Sequence, residues 1–197
     1  MFLRHNGGFL VTRLKEINKM KWIKYIGLLL MGCGSPTKVN IETAYDCGSR
    51  VGDTACNLEL FDQNGDLWSL YDHQGKIMVI DFSTMWCGIC NVIAPISEEI
   101  IDEYGKENVI WITILVEDFD KETVEQSDLI DWVDRYELTS SVLAGDRSLI
   151  DKTSTTGYNI TGWPTVFTID QSLTITHGWH GWSEEGVRQS IEENLNK

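Results

Sequence analysis

Two nearly continuous apolar runs constrain the fold of this chain more than any other feature of its sequence. Residues 76–82 (KIMVIDF) and 109–116 (VIWITILV) are each as long as a strand and hold few surface-type side chains. Strands of this composition are covered on both faces, as in the parallel sheets of α/β proteins. Apolar residues recur at helical spacing between the two runs, at Val92, Ile93, Ile96, Ile100, Ile101 and Tyr104. This order predicts a parallel βαβ unit, in which Pro95 interrupts the helix and Gly105 ends it.

The segments on either side of this unit predict a mixed sheet. In front of it, alternating apolar residues flank Asn64-Gly65, a strong signal for a hairpin turn. Four elements follow the unit. They are an amphipathic helix (residues 124–136), a short parallel strand (142–144), a second hairpin (165–169 and 173–176) and a closing helix (183–195). The sequence therefore predicts an α/β fold with a mixed central sheet flanked by helices and an added N-terminal β-hairpin.

Composition indicates one domain and argues against a nucleic-acid partner. A chain of 197 residues with 42% apolar content can bury one domain-sized core. After Gly32 the chain holds 10 basic and 29 acidic residues. Such a surface repels nucleic-acid phosphates and anionic membranes, so we expect no nucleic acid as a partner. Any attachment to a membrane must depend on a feature other than surface charge.

Residues 20–32 have the layout of a secretory signal peptide, with a short basic stretch, an apolar run too short to span a bilayer and then small residues. The end of the run, Leu30-Met31-Gly32-Cys33, resembles the bacterial lipobox, although its Met stands where a small residue is usual. This resemblance implies cleavage before Cys33 and a lipid on its sulfur. The alternative is a plain membrane anchor with Cys33 unmodified. Either way, we expect a domain tethered to a bacterial membrane and facing the periplasm or the extracellular side.

Three further boundaries follow from the same region. Residues 1–19 fit no targeting pattern, which suggests a gene-model extension with Met20 as the true start. Residues 33–44 are small and polar, as in a flexible tether. The globular domain is therefore predicted to span residues 45–197.

The segment Cys87-Gly88-Ile89-Cys90 lies between the first apolar strand and the following helix. Its spacing also occurs in zinc sites, but no second pair of cysteines or histidines at metal-ligand spacing follows, and we expect no metal. At such a junction the first sulfur faces unpaired helix amides, whose partial positive charge stabilises a thiolate. Cys87 is therefore predicted to be the nucleophile. Cys90, one turn later, is predicted to resolve the mixed disulfide, with an inert disulfide clip as the alternative.

Four separated motifs around these cysteines resemble the thioredoxin family. They are residues 81–90 (DFSTMWCGIC), 93–96 (IAPI), 102–104 (DEY) and 162–165 (GWPT), in family order and at about family spacing. The resemblance covers most of residues 76–195 and implies a thioredoxin fold. It also implies a protein-disulfide oxidoreductase that uses the dithiol itself and no cofactor.

The same resemblance implies roles for individual residues. In the thioredoxin family, the residue at the position of Asp81 is a buried carboxylate that assists deprotonation of the resolving cysteine. Burial should raise the pKa of such a carboxyl. The alternative is an Asp81 that faces water. Pro164 corresponds to a cis-proline whose neighbouring backbone pairs with the substrate. Trp86 and Trp163 would flank the sulfur with apolar surface, and Gly181 corresponds to a glycine of the substrate groove.

Departures from thioredoxin narrow the class of protein. Ile89 replaces the proline that is common between the two cysteines, so the redox potential and the direction of electron flow stay open. The added hairpin, the lipobox and the long segment between Val116 and Gly162 are similar to membrane-tethered thioredoxin-like proteins that reduce exported partners, including apocytochrome c. This resemblance implies an extracytoplasmic reductase of the cytochrome c maturation type, supplied by a transmembrane electron donor.

Two groups of residues remain outside this scheme. Cys47 and Cys56 can form a structural disulfide in an export context, with a second exchanging pair as the alternative. The His177-Gly-Trp-His180-Gly-Trp182 segment could bind a metal together with the exposed thiols, as some copper chaperones of related fold do. We interpret it as the end of a strand and a turn, because a third ligand is lacking.

Two other functions are compatible with the same fold. A thiol peroxidase is suggested by Thr84, three residues before Cys87, but Ile80 stands where that motif has a proline. A copper-binding or peptide-binding module would use the cysteines only as ligands or as a clip.

Overall fold

A five-stranded mixed sheet organises the chain. The computed structural model describes residues 47–150, 157, 158 and 160–197. Within them the strands are β1 (Cys47–Gly48), β2 (Thr54–Ala55), β3 (Glu59–Phe61), β4 (Leu67–Ser69), β5 (Ile77–Ser83), β6 (Val109–Leu115), β7 (Ser141–Ala144), β8 (Thr165–Ile169) and β9 (Ile175–His180). The α-helices are α1 (Gly88–Tyr104), α2 (Gln126–Tyr136) and α3 (Glu184–Leu195), with short 3-10 helices at Leu70–His73 and Arg147–Ile150.

The strand order of the main sheet is β7-β6-β5-β8-β9. Strands β7, β6 and β5 run parallel, whereas β8 is antiparallel to β5 and β9 is antiparallel to β8. Strands β3 and β4 form an antiparallel hairpin, and β1 and β2 form a short parallel pair. The mixed central sheet, the flanking helices and the added hairpin predicted from the sequence are therefore confirmed.

The middle strand, β5, is buried along its whole length, as its apolar composition predicts. On one face Ile77 and Val79 join a cluster with residues of α1 and α3, namely Ile93, Ile100, Val187 and Ile191. On the other face Met78, Ile80 and Phe82 pack in a separate cluster that includes residues of the hairpin region. Each fully buried apolar side chain of this size contributes roughly 1.5–3 kcal/mol. Because side chains alternate along a strand, Asp81 falls on the face that α1 covers.

Helix α1 runs without a break from Gly88 to Tyr104, so the predicted interruption at Pro95 is wrong. Proline removes one backbone donor and crowds the preceding turn. Buried residues on both sides of it, among them Ile93 and Ile100, nevertheless keep the helix packed on the sheet. The helix ends at Gly105, where a φ of 83° favours glycine.

The start of α2 and the bounds of β9 differ from the predicted ones because of local hydrogen bonds. Helix α2 starts at Gln126 instead of residue 124, because Glu125 and Asp128 form a capping box. Strand β9 spans Ile175–His180 instead of residues 173–176. The Asp170 carboxylate accepts backbone hydrogen bonds from Ser172 and Thr174 at 3.0 Å each, which holds the intervening residues in a turn.

The sequence predicts the disulfide between Cys47 and Cys56, but not the short strands β1 and β2. A disulfide joins Cys47 to Cys56, with a Cα–Cα distance of 4.8 Å. Inside the loop that it closes, the Gly52 amide donates to the Ile175 carbonyl at 2.8 Å, and the Ile175 amide donates to the Asp53 carbonyl at 2.9 Å. Because β9 is an edge strand, this loop covers backbone groups that would otherwise be unpaired.

The predicted N-terminal extension, the signal peptide, Cys33 and the tether at residues 33–44 lie outside the described residues. So do the first two residues of the predicted domain. Among the helices that the structure describes, none combines the length and the apolar character needed to cross a membrane.

Candidate active site

Cys87 occupies the N-cap of α1 and forms a disulfide with Cys90 across a Cα–Cα distance of 5.3 Å. The Cys87 sulfur accepts a hydrogen bond from the Cys90 amide at 3.4 Å. This places it at the positive end of the helix dipole, which favours a thiolate once the disulfide is reduced. Cys87 is 7% exposed, whereas Cys90 is fully buried. An incoming thiol or disulfide can therefore reach Cys87 first.

Asp81 lies inside the sheet, on the face of β5 beneath α1, and is only 2% exposed. It does not face water. Burial raises the pKa of its carboxyl from 3.8 to about 7, and the Ser83 hydroxyl, which donates to Asp81 Oδ1 at 2.8 Å, opposes part of this rise. A carboxyl with this pKa exchanges a proton readily at neutral pH.

The neighbours of Asp81 in the sheet are uncharged. Thr113 of β6 and Val166 of β8 are its register partners. The Thr113 hydroxyl is buried and has no hydrogen-bond partner within the described part of the chain. Among the described residues, burial and the Ser83 hydroxyl, and not an ion pair, therefore determine the protonation of Asp81. Ser83 could have been found from its two-residue spacing along the strand, whereas Thr113 depends on the register of a distant strand.

Trp86 is fixed beside Cys87 by a buried carboxylate. The indole Nε1 donates to Glu117 Oε2 at 2.8 Å, and Glu117, which is only 2% exposed, forms a salt bridge with Arg147. The Lys121 ammonium lies 5.1 Å from the centroid of the Trp86 ring. The ring keeps 39% of its surface exposed. Glu117 and Arg147 could not be predicted as part of the site from the sequence, because only the folded chain brings them to the active-site loop.

The peptide bond between Trp163 and Pro164 is cis. The Pro164 carbonyl accepts a hydrogen bond from the Gly181 amide at 2.8 Å, so these two residues lie together. Thr165 of β8 pairs with Phe82 of β5, and Pro164 therefore lies at the end of the sheet from which the loop to the cysteines departs. Trp163 is half-buried and packs against the core cluster on the sheet face opposite α1.

The histidine-rich segment lies in β9 and the turn after it. His177 stacks on Trp179 with ring centroids 5.5 Å apart, and His180 Nδ1 lies 3.3 Å from the Thr161 hydroxyl. No group of three or more His, Cys, Asp or Glu within the described ranges is arranged to hold a metal ion.

Thr84, the residue that suggested a thiol peroxidase, is fully buried. Its hydroxyl has no hydrogen-bond partner among the residues that the structure describes, so it does not bond the Cys87 sulfur in this disulfide form. The Thr84 carbonyl instead accepts the Cys87 amide at 3.2 Å, within the turn that leads into α1.

Comparison with curated proteins gives relatives of two kinds. Thioredoxin-like protein YneN from Bacillus subtilis is 26% identical over 158 residues, which cover 79% of this chain and 86% of that protein. Thiol-disulfide oxidoreductase ResA from Geobacillus kaustophilus is 28% identical over 122 residues, which cover 62% and 64% of the two chains. The match to a thioredoxin from Coprinus comatus, at 39% identity over 54 residues, spans only about half (51%) of that protein.

A solved structure and a family model identify the fold and the family of the chain. The exposed lipoprotein thioredoxin Etrx1 from Streptococcus pneumoniae has a TM-score of 0.58 and 24% identity, over 70% of this chain and 99% of that one. At this identity the likeness establishes the thioredoxin fold, in agreement with the observed sheet order. The model of the AhpC/TSA family matches residues 51–178. Since this match covers well over half of the chain, the protein belongs to the AhpC/TSA family.

Proposed function

We propose that this chain is a thiol-disulfide oxidoreductase of the thioredoxin-like type that acts outside the cytoplasm and reduces exported proteins. The observation that carries the proposal is the pairing of Cys87, which keeps 7% exposure, with the fully buried Cys90 at the start of α1. The buried carboxyl of Asp81 lies in the strand beneath the same helix. The relatives named thioredoxin-like protein and thiol-disulfide oxidoreductase support a protein-disulfide oxidoreductase.

In the reduced protein the Cys87 thiolate attacks one sulfur of a partner's disulfide. A bond forms between Cys87 and that sulfur, the partner's disulfide breaks, and its second sulfur leaves as a thiolate that takes a proton from solvent. The helix dipole at the N-cap stabilises the attacking thiolate. The product of this step is a mixed disulfide on Cys87.

Cys90 completes the transfer. Its thiol loses a proton and its sulfur attacks Cys87, which forms the disulfide seen in this structure and releases the partner's remaining thiol. Two electrons pass from the dithiol to the partner in the two steps together. A transmembrane electron donor must then return two electrons and two protons before the next cycle.

Asp81 is the proposed acceptor of the Cys90 proton. A thiol as deeply buried as Cys90 has little access to bulk water, whereas Asp81 lies in the buried layer directly beneath α1. With a pKa of about 7, the carboxyl is partly ionised at neutral pH and can take up the proton as Cys90 attacks.

The proposed substrate surface surrounds Cys87. Trp86 offers an apolar ring held in place by Glu117, and Ile89 is 44% exposed beside it. Pro164, with Trp163 before it and Gly181 bonded to its carbonyl, is proposed to bind the extended backbone of the partner next to its reacting sulfur.

Export and membrane attachment are proposed from the N-terminal sequence. The lipobox-like segment ending at Cys33 supports cleavage and lipidation, and one structural neighbour is itself named an exposed lipoprotein. The added β3–β4 hairpin and the long segment between Val116 and Gly162 support a reductase of the cytochrome c maturation type. Apocytochrome c is then one candidate among the exported substrates.

Replacing Cys90 with alanine should stall the reaction at the mixed disulfide. We expect C90A to accumulate adducts with exported proteins in its own host, detected on non-reducing gels and identified by mass spectrometry. The matched variant C87A should accumulate none, since it lacks the attacking sulfur. Equal adducts on both variants, or none on either, would contradict the proposed exchange. Rapid peroxide consumption that survives C90A would instead support a thiol peroxidase.

The raised pKa of Asp81 predicts how stability depends on pH. The contribution of the Asp81 carboxyl to the free energy of unfolding is fully present below about pH 4, where it is protonated in both the folded and the unfolded chain. This contribution is lost as the pH rises to about 7, because burial disfavours the ionised form in the folded chain. A change in pKa from 3.8 to about 7 corresponds to about 4 kcal/mol. We therefore expect D81N to be more stable than the wild type by up to this amount at pH 8 and about equal to it at pH 4.

Unfolding in guanidinium chloride at the two pH values measures this difference. Asp170 provides a control of opposite sign. Burial raises its pKa, but hydrogen bonds, first of all from Ser172, outweigh that effect, so its net pKa is lowered. D170N should therefore destabilise the protein above about pH 4. A D81N protein no more stable than the wild type at pH 8 would contradict the burial of an ionisable Asp81.

Mass spectrometry of the mature protein from its host tests the lipid anchor. We expect an N-terminal Cys33 that carries lipid, because the lipobox resemblance implies cleavage before this residue. A mature protein that retains residues 30–32, or that carries an unmodified Cys33, would show that it is not a lipoprotein.

A further inference from the structure

A cleft of about 210 Å³ lies next to the cis-proline, on the side of the sheet edge away from α1. One wall is the segment at residues 49–51, and the other is formed by the paired ends of β8 and β9. The side chains that matter here are those of Arg50, Val51, Thr165, Phe167 and His180. Thr165 follows Pro164 directly, so the cleft adjoins the proposed substrate backbone. We call it the Arg50 cleft.

Arg50 has no carboxylate partner for its guanidinium among the residues that the structure describes. Within the described ranges its guanidinium forms no salt bridge, whereas Arg147 and Arg188 are both paired with glutamates. Asp53 is close in sequence, but its carboxylate accepts the Arg50 backbone amide, at 3.0 Å. In a chain with a net charge of −14, a cation at the rim of a cleft that no described carboxylate neutralises is available to an anionic ligand.

His180 adds a hydrogen-bond donor on the opposite wall. Its Nδ1 lies 3.3 Å from the Thr161 hydroxyl and 3.4 Å from the Thr165 hydroxyl. The Thr165 hydroxyl donates to the Gly162 carbonyl at 2.8 Å, so Thr161 is the one that can donate to Nδ1. In the tautomer in which Nδ1 accepts from Thr161, the imidazole carries its proton on Nε2. That nitrogen can then donate to a ligand.

The floor of the cleft is apolar and depends on a glycine. A Cβ atom at Gly178 would lie 2.9 Å from the Phe167 ring, closer than such contacts occur, so a larger residue would displace the ring. An apolar floor with a cation and an N–H donor at its rim suits a carboxylate carried on a short methylene stem. The side chains of Asp and Glu have this form.

The wall that carries Arg50 is held in advance of binding. The Cys47–Cys56 disulfide closes the loop, and two backbone hydrogen bonds attach it to Ile175 of β9. A binding segment fixed in this way loses little conformational freedom when a ligand binds.

We propose that the Arg50 cleft is a specificity subsite for an acidic side chain near the reactive cysteine of the partner polypeptide. The inference rests on the proposed function, since it takes the partner's backbone to pass Pro164. An extended chain advances about 3.3 Å per residue, so a side chain a few residues from the cysteine can enter the cleft beside Thr165. The subsite thus selects acidic segments although the protein as a whole repels them.

Peptide disulfides test this selection. The probes are homodimers of one short peptide joined through its single cysteine, with Glu, Gln or Lys at the flanking positions. We expect the reduced wild-type protein to reduce the Glu peptide roughly fivefold faster than the Gln peptide at low salt, as one rim ion pair allows, and the Lys peptide more slowly still. R50Q should abolish the preference through KM, and R50E should reverse it.

A matched control removes the same charge elsewhere. Lys106 lies just before β6, at the opposite end of the sheet from the cysteines, and its ammonium donates to the Thr139 hydroxyl at 2.7 Å. K106Q should keep both the activity and the preference for Glu. If K106Q loses the preference as R50Q does, net charge and not the cleft accounts for it, and the subsite proposal fails.

Binding of an unreactive Glu peptide, with serine in place of its cysteine, separates the subsite from the exchange chemistry. We expect it to shift the His180 imidazole signals in NMR spectra of the wild type and not of R50Q. Equal reduction of all three peptides, with no such shift, would overturn the subsite and leave the proposed function intact. If the wild type reduces no peptide, the proposed function fails, and the presence or absence of the His180 shift alone then decides whether the cleft binds acidic chains.

Discussion

The burial of Asp81 within the central strand is the constraint on which the rest of the structure depends. An ionisable carboxyl in this position disfavours the folded state at neutral pH, and its neighbours on both flanking strands, Thr113 and Val166, are uncharged. The apolar side chains of β5, β6 and α1 must offset this cost. The fold therefore keeps an ionisable carboxyl in its interior, at a cost in stability, on the sheet face under the helix that starts with the two cysteines.

The same helix divides the two sulfurs between solvent and core. Its N-cap presents Cys87 to the surface, and its first turn buries Cys90 above the sheet. Beside Cys87, Trp86 is held by Glu117 and Arg147, which come from the loop just after β6 and from a 3-10 helix farther along the chain. The chemistry of exchange thus depends on local helix geometry, whereas the surface that meets a partner depends on long-range contacts.

Much of the fold could be predicted because it depends on local patterns. The two apolar runs, the Asn64-Gly65 turn and the cysteines at a strand-to-helix junction each carry their own physical signal. The start of β9 could not be predicted, because the Asp170 side chain holds the preceding residues in a turn. Thr113, Glu117 and the Arg50 cleft were missed for a related reason, since strand register and a disulfide-closed loop bring them to the site only in the folded chain.

The central claim is that Asp81 takes the proton of Cys90 as this residue resolves the mixed disulfide on Cys87. The most direct measurement is the rate of that resolution as a function of pH, in the wild type and in D81N, starting from a preformed mixed disulfide. The account predicts a wild-type rate that rises with a midpoint near pH 7, and a D81N rate that is slower and lacks this midpoint. Identical pH profiles for the two proteins would contradict it.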